Sequence, residues 1–373
     1  MISQVRFENF KALQQVTIDL ERLTVLVGAN ATGKTSVLQG LHAFSTFDDR
    51  SGFPKIVVLL QNFANGSRTL GSSGDVVVNV SGDFSAEFRA TPGPSDKPDA
   101  CGFKLTLGDQ AIDTESSPAA AAAFAVRLAR TGLSHAIRLQ FDPRRLSAPS
   151  YVDDEHPRVG NDGFGLASVL AVASGQRSGA LGQIERELQK ILPWARNLRT
   201  FPARVQRNER EYITVNGKTI ENAVERTYMG QRFELEIDGV GSVPADMLSE
   251  GTLLVLGLLT VLHTTPNLRL LLLDDLDRGL HPNAQRDVVR SLRAVLDENP
   301  QLQIVCTTHS PYALDVFEPH EVRVLQLNAE GRAGCKALTD HPDWPRWRDF
   351  MNPGEFWSSV GEDWIFGERD GTP

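Results

Sequence analysis

Gly28-Ala29-Asn30-Ala31-Thr32-Gly33-Lys34-Thr35 stands between a short apolar run, Leu23-Thr24-Val25-Leu26-Val27, and Ser36-Val37-Leu38-Gln39-Gly40-Leu41, whose apolar residues fall at helical spacing. The order strand, glycine loop, helix turns the pattern G-x-x-x-x-G-K-T into a phosphate cradle. Glycines let backbone N–H groups curl round an anion, and the helix N-terminus adds its positive dipole end. In that arrangement Lys34 reaches the outer phosphates and Thr35 holds Mg²⁺. The competing reading is a glycine turn with an incidental lysine.

The chain has 373 residues, a net charge of -9, 41% hydrophobic and 23% charged residues, as in an ordinary soluble globular protein. The acidic balance argues against a constitutive nucleic-acid binder, although a local basic groove stays open. Cys101, Cys306 and Cys335 lack metal-ligand spacing, and their sparse, odd count suits a reducing cytoplasm. Neither a signal peptide nor a membrane span is expected.

Upstream, residues 3–8 read as an edge strand and 16–20 as a second strand. Downstream, 75–80, 84–90 and 102–107 read as antiparallel ribbon. Ser117-Pro118 opens an alanine-rich helix to about Arg130; a strand at 136–141 and helices at 164–174 and 180–192 follow, then strands at 211–215 and 232–237. Prolines recurring from Pro54 to Pro244 exclude a long coiled coil.

Three further motifs lie in the last third. Leu248-Ser249-Glu250-Gly251-Thr252 opens an apolar helix: Ser249 is a natural N-cap and Gly251 admits a ligand, or the helix is simply a capped core element. Leu270-Leu271-Leu272-Leu273-Asp274-Asp275 reads as a doubly buried strand with two acids where parallel sheets place ligands. Asp274 suits Mg²⁺ and Asp275 suits the attacking water. Gln303-Ile304-Val305-Cys306-Thr307-Thr308-His309 is another buried strand, whose His309 faces the γ-phosphate or that water.

Taken in order, these motifs, with Asp277-Arg278-Gly279-Leu280-His281-Pro282 and Thr308-His309-Ser310-Pro311, resemble an ABC-type ATPase head of the SMC/RecF/OLD-like branch. The opening Phe7-Glu8-Asn9-Phe10-Lys11-Ala12-Leu13 has the same flavour. The resemblance covers roughly 1–330. It implies an α/β P-loop NTPase with a mixed central sheet, an antiparallel β subdomain and a helical insertion at about 110–210, with an aromatic-rich tail at 331–373. It also implies a homodimer, or higher oligomer, that sandwiches ATP and Mg²⁺. Gly28, Ala29, Asn30, Ala31, Thr32, Gly33, Lys34, Thr35 and Ser36 would bind the nucleotide in cis, and Ser249 and Gly251 from the other subunit. Asp275, His309 and Lys34 would act in hydrolysis, and Thr35, Asp274 and Gln140 would hold the metal, Gln61 competing with Gln140 for the glutamine position.

Asp275 departs from the family's usual glutamate, and the shorter carboxylate leaves a slow, switch-like ATPase as plausible as a fast motor. The chain lacks coiled-coil arms, and about sixty residues after Pro311 are too few for a Toprim nuclease domain. The implied output is a separate protein effector, such as a nuclease in bacterial defence, reached through the tail, where Trp344, Trp347, Trp357 and Trp364 gather. The tail folding back on its own core is the bland alternative. The competing function is a RecF-like DNA-repair ATPase that binds DNA through arginines including Arg127, Arg130, Arg138, Arg144, Arg145, Arg204, Arg207 and Arg210.

Overall fold

The computed structural model describes residues 1–43, 75–91, 102–113, 131, 136–176, 179–215 and 218–367, with the backbone alone at 102–103, 210–215 and 218–222. The helix expected at 117–130 and Gln61 lie outside the described residues. The chain forms two compact units, Met1–Leu139 with Asn267–Pro373, and Gln140–Pro266. In chain order its strands are β1 (Ile2–Phe10), β2 (Leu13–Asp19), β3 (Leu23–Val27), β4 (Val76–Gly82), β5 (Ser85–Thr91), β6 (Gly102–Leu107), β7 (Gln110–Asp113), β8 (Ala136–Leu139), β9 (Ala195–Val215), β10 (Lys218–Ile237), β11 (Gly241–Pro244), β12 (Leu270–Leu273), β13 (Gln303–Thr307), β14 (Val322–Leu327) and β15 (Ala333–Ala337).

The first unit holds two six-stranded sheets. One is antiparallel, in the order β2-β1-β4-β5-β6-β7. Here β1 corrects the expectation of an edge strand: it pairs with β2 on one side and β4 on the other. Its alternation put Val5 and Phe7 inward, but nothing local in a sequence shows how many neighbours a strand has. The other sheet runs β15-β14-β3-β13-β12-β8, parallel from β14 to β8, with β15 antiparallel at its edge. Every residue of β3, β12 and β13 is buried, as their largely apolar runs require of strands covered on both faces.

The helix Lys34–His42 turns Val37, Leu38 and Leu41 into the core shared by both sheets, with Phe7, Phe10, Leu13 and Leu272. Burying each such side chain contributes roughly 1.5–3 kcal/mol. Gly40 lets this helix approach β1 closely, since a Cβ there would lie 2.4 Å from the Phe7 ring.

The C-terminal tail divides. Trp344, Phe356 and Ile365 are buried, and the Trp344 and Phe356 rings meet edge to face at 5.0 Å. Trp347, Phe350 and Phe366 stay exposed. The tail therefore caps its own unit with one set of aromatics and offers the other set to solvent.

The second unit combines four helices, Pro143–Ser147, Leu166–Gly175, Ala180–Ile191 and Glu250–Thr264, with a three-stranded sheet β11-β10-β9. β9 and β10 pair from Ala195↔Ile237 to Val215↔Lys218 as one long ribbon, of which the expected strands 211–215 and 232–237 are only parts. Phe201, Ala203 and Val205 alternate but are only half-buried, and residues 206–209 are all polar, so no apolar period runs the length of the strand. Pro202 is tolerated because β9 is the sheet's edge. Among the described residues no helix is long and apolar enough to cross a membrane.

Candidate nucleotide site

The loop after β3 is shaped by what surrounds it. Gly28 has φ 141°, and a Cβ there would lie 2.1 Å from the Leu325 carbonyl oxygen of β14. Only glycine fits. Gly33, at φ 100°, caps the helix Lys34–His42 without any side-chain hydrogen bond. The first-turn N–H groups are thus left for an anion. The Thr32 hydroxyl donates to Ala29 O (2.9 Å), while Asn30 and Ala31 are exposed. The Lys34 ammonium, 6% exposed, folds back to Gly28 O and Ala29 O, both at 2.8 Å. Weak carbonyl partners at a buried cation leave it ready for a stronger acceptor.

β12 delivers the acids. Asp274 Oδ1 accepts from Thr35 Oγ1 at 3.0 Å and Thr307 Oγ1 at 3.1 Å, and its Oδ2 accepts from Arg138 at 3.1 Å. Thr307 Oγ1 also accepts from the Asp275 N–H (2.8 Å). Asp275 is in the left-handed region at φ 54°, and its carboxylate lies 4.0 Å from His309 Nε2. Asp277 Oδ1 receives the Thr308 hydroxyl (2.6 Å) and the His309 N–H (3.1 Å), tying the turn after β12 to the end of β13.

Burial lowers the Lys34 ammonium from its usual value, opposed by the carboxylates of Asp275, Glu362, Asp274 and Asp277. Burial, then the charge of Asp274, lifts the Asp275 carboxyl, with His309 and Lys34 pulling the other way. Half-buried His42 is pushed down to about 4, first by desolvation and then by Arg138. A lifted acid beside a desolvated lysine is the pattern of a site poised for phosphate and water chemistry.

Lys34, Thr35, Asp274, Asp275 and His309 thus lie together in the first unit. Ser249, Gly251 and Gln140 belong to the second. There Ser249 caps Glu250–Thr264, accepting from the Thr252 N–H at 3.2 Å, and Gly251 is buried in the first turn. Gln140 has an exposed side chain and donates its N–H to Asn161 O (2.9 Å).

Residues 23–315 match the family model described as "AAA domain, putative AbiEii toxin, Type IV TA system". The chain belongs to this AAA family. Two solved structures share its fold at 12% identity. One is an SMC head bound to the C-winged helix domain of ScpA, with TM-score 0.58, covering 90% of this chain and 96% of that one. The other is an SMC head with an extended coiled coil bound to the C-terminal domain of ScpA derived from Pyrococcus furiosus, with TM-score 0.55, covering 90% and 95%. The family makes the chain an ATPase of the AAA type, and the likeness gives it the fold of an SMC head; among the described residues no helix is long enough for a coiled-coil arm.

Several residues of this AAA-family site are invisible to motif reading. Arg138, counted above with the DNA-facing arginines, is instead committed to Asp274, with 15% side-chain exposure. Thr307 bridges the two acids, and Glu362 of the tail brings its charge to Lys34. Only Arg138 carried a prior hint, as a charge on an otherwise apolar strand. The donor set at Asp274 and Thr35, hard oxygens 3.0 Å apart, suits Mg²⁺, which takes few protein ligands and completes its shell with phosphate and water.

Proposed function

We propose that this protein hydrolyses ATP at a site completed by a second copy of the chain, and that its nucleotide state controls a separate effector protein in a toxin–antitoxin or defence pair. The observation that supports this most is Asp274 meeting Thr35 while the buried Lys34 ammonium rests on loop carbonyls. Lys34 and the free N–H groups after Gly33 would hold the β- and γ-phosphates. Mg²⁺, held by Thr35 and Asp274, would supply charge neutralisation between those phosphates. Asp275 orients and deprotonates the attacking water, and His309 steadies it from beside Asp275. Ser249 and Gly251 of a second copy would close the nucleotide with a capped helix start.

The partner role draws on three observations. The family description names a toxin–antitoxin system. Two SMC heads of the same fold were solved with ScpA domains bound. Trp347 and Phe350 of this chain's tail stand exposed. The test is phosphate release with Mg²⁺ and ATP. The wild type turns over slowly and Lys34→Ala is silent, whereas equal rates in the two proteins would refute the reading.

A further inference from the structure

Beside the phosphate-binding loop lies an open groove of about 410 Å³, edged by Asn9, Gln14, Asn328, Arg332, Ala333 and Phe366. It opens between two hairpin turns. The Ala333 N–H donates to Ala12 O at 3.0 Å, joining the β14–β15 turn to the β1–β2 turn. Ala12 in turn reaches the loop, since its Cβ is 3.9 Å from where a Cβ on Gly33 would stand. A ligand with phosphates at the Lys34–His42 helix start thus has a groove directly alongside for the rest of itself.

The walls of the groove match a heteroaromatic ring. Phe366 is 46% exposed, yet its ring is pinned from behind. A Cβ on Gly334 would lie 2.6 Å from Phe366 Cζ and 3.0 Å from its Cε1, so that edge of the ring is packed on the β15 backbone. The same turn is held by buried Ile365 and by the hydrogen bond from Gln326 to Asp363 at 2.6 Å. The two asparagines are oriented by their own bonds. Asn9 Nδ2 donates to Asp75 O (2.9 Å), which turns its Oδ1 into the available acceptor. Asn328 Oδ1 accepts from the N–H groups of Glu330 (3.1 Å) and Arg332 (2.8 Å), which leaves Nδ2 as the available donor. A held aromatic face with one fixed acceptor and one fixed donor is what reads an adenine edge. The one carboxylate on the groove, Glu8, is paired with Arg6 at 2.8 Å.

We propose that this groove is the base subsite of the nucleotide site, with the adenine ring stacked on Phe366 of the C-terminal tail and its edge met by Asn9 and Asn328. The tail is thereby a working part of nucleotide recognition. The inference rests on the reading of the loop as an ATP site, and the experiment separates the two. Titration calorimetry compares Mg-ATP with Mg-tripolyphosphate, which keeps the phosphates and lacks the base. Phe366→Ala is expected to weaken ATP about tenfold and to leave tripolyphosphate within about twofold. Phe366→Tyr is expected to keep wild-type affinity for both. Asn328→Asp retains the turn's acceptor and removes the free donor, so it should weaken ATP alone. ATP affinity unchanged in Phe366→Ala, or an equal loss for both ligands, would overturn the base subsite. Unchanged binding of both ligands in Lys34→Ala would instead overturn the phosphate loop.

Discussion

Replacing Asp275 with Asn removes one negative charge from a cluster that contains Asp274 and Asp277, and keeps the backbone. Asn, like Asp, tolerates the left-handed conformation (φ 54°) found there. The carboxyl is lifted from 3.8 by burial first and by Asp274 second. The folded chain therefore holds this proton more tightly than the unfolded chain, and ionisation costs the fold stability as pH rises through the lifted value. With the side chain 52% exposed, solvent screening keeps the effect small. Asp275→Asn should accordingly melt slightly higher than wild type at pH 8, and the gain should shrink as pH falls toward 4. Asn cannot take a proton from water, so phosphate release should drop by at least about a hundredfold, while ATP binds more tightly for want of a nearby negative charge. Differential scanning fluorimetry at several pH values and a phosphate-release assay read both effects. A variant that hydrolyses ATP within threefold of wild type would refute the assignment of Asp275, and a lower melting point at pH 8 would refute the charge argument.

Three further outcomes follow from the same geometry. His42, pushed down to about 4 by burial, binds its proton more readily when unfolded, so stability falls as pH drops from 6.5 to 4, by about 3 kcal/mol; His42→Gln should flatten the melting temperature across that window. Gly28→Ala would set a Cβ 2.1 Å from Leu325 O and should cost about 3 kcal/mol or more, visible in a circular-dichroism melt. Glu362→Gln removes one carboxylate acting on Lys34 and should tighten ATP binding about threefold in calorimetry.

The loop–helix start and the acid-terminated strand were legible because each is local. A backbone that must touch Leu325 O at Gly28 admits only glycine, and a strand buried on both faces writes itself as Leu270–Leu273. What escaped is tertiary. β1 looks the same locally whether it has one neighbour or two. The β9–β10 ribbon alternates only briefly, at Phe201, Ala203 and Val205 and again at Phe233 and Leu235, and the all-polar residues 206–209 leave no apolar period to read along its length. Arg138 read as a surface arginine because its partner, Asp274, is 136 residues away. Glu362 is joined to Lys34 only through the fold of the tail, whose aromatics carry no mark of which will be buried, as Trp344 and Phe356 are, and which exposed, as Phe350 is.

The central claim is that each nucleotide site is shared between two copies, and mixing two inactive variants tests it most directly. Lys34→Ala spoils the phosphate loop and Ser249→Arg spoils the closing helix. In a head-to-tail pair of one of each, one site carries both defects and the other carries none. A one-to-one mixture should recover roughly a quarter of wild-type phosphate release, from one intact site in half of the dimers. A mixture as inactive as either variant alone would contradict the shared site, as would full activity in Ser249→Arg by itself.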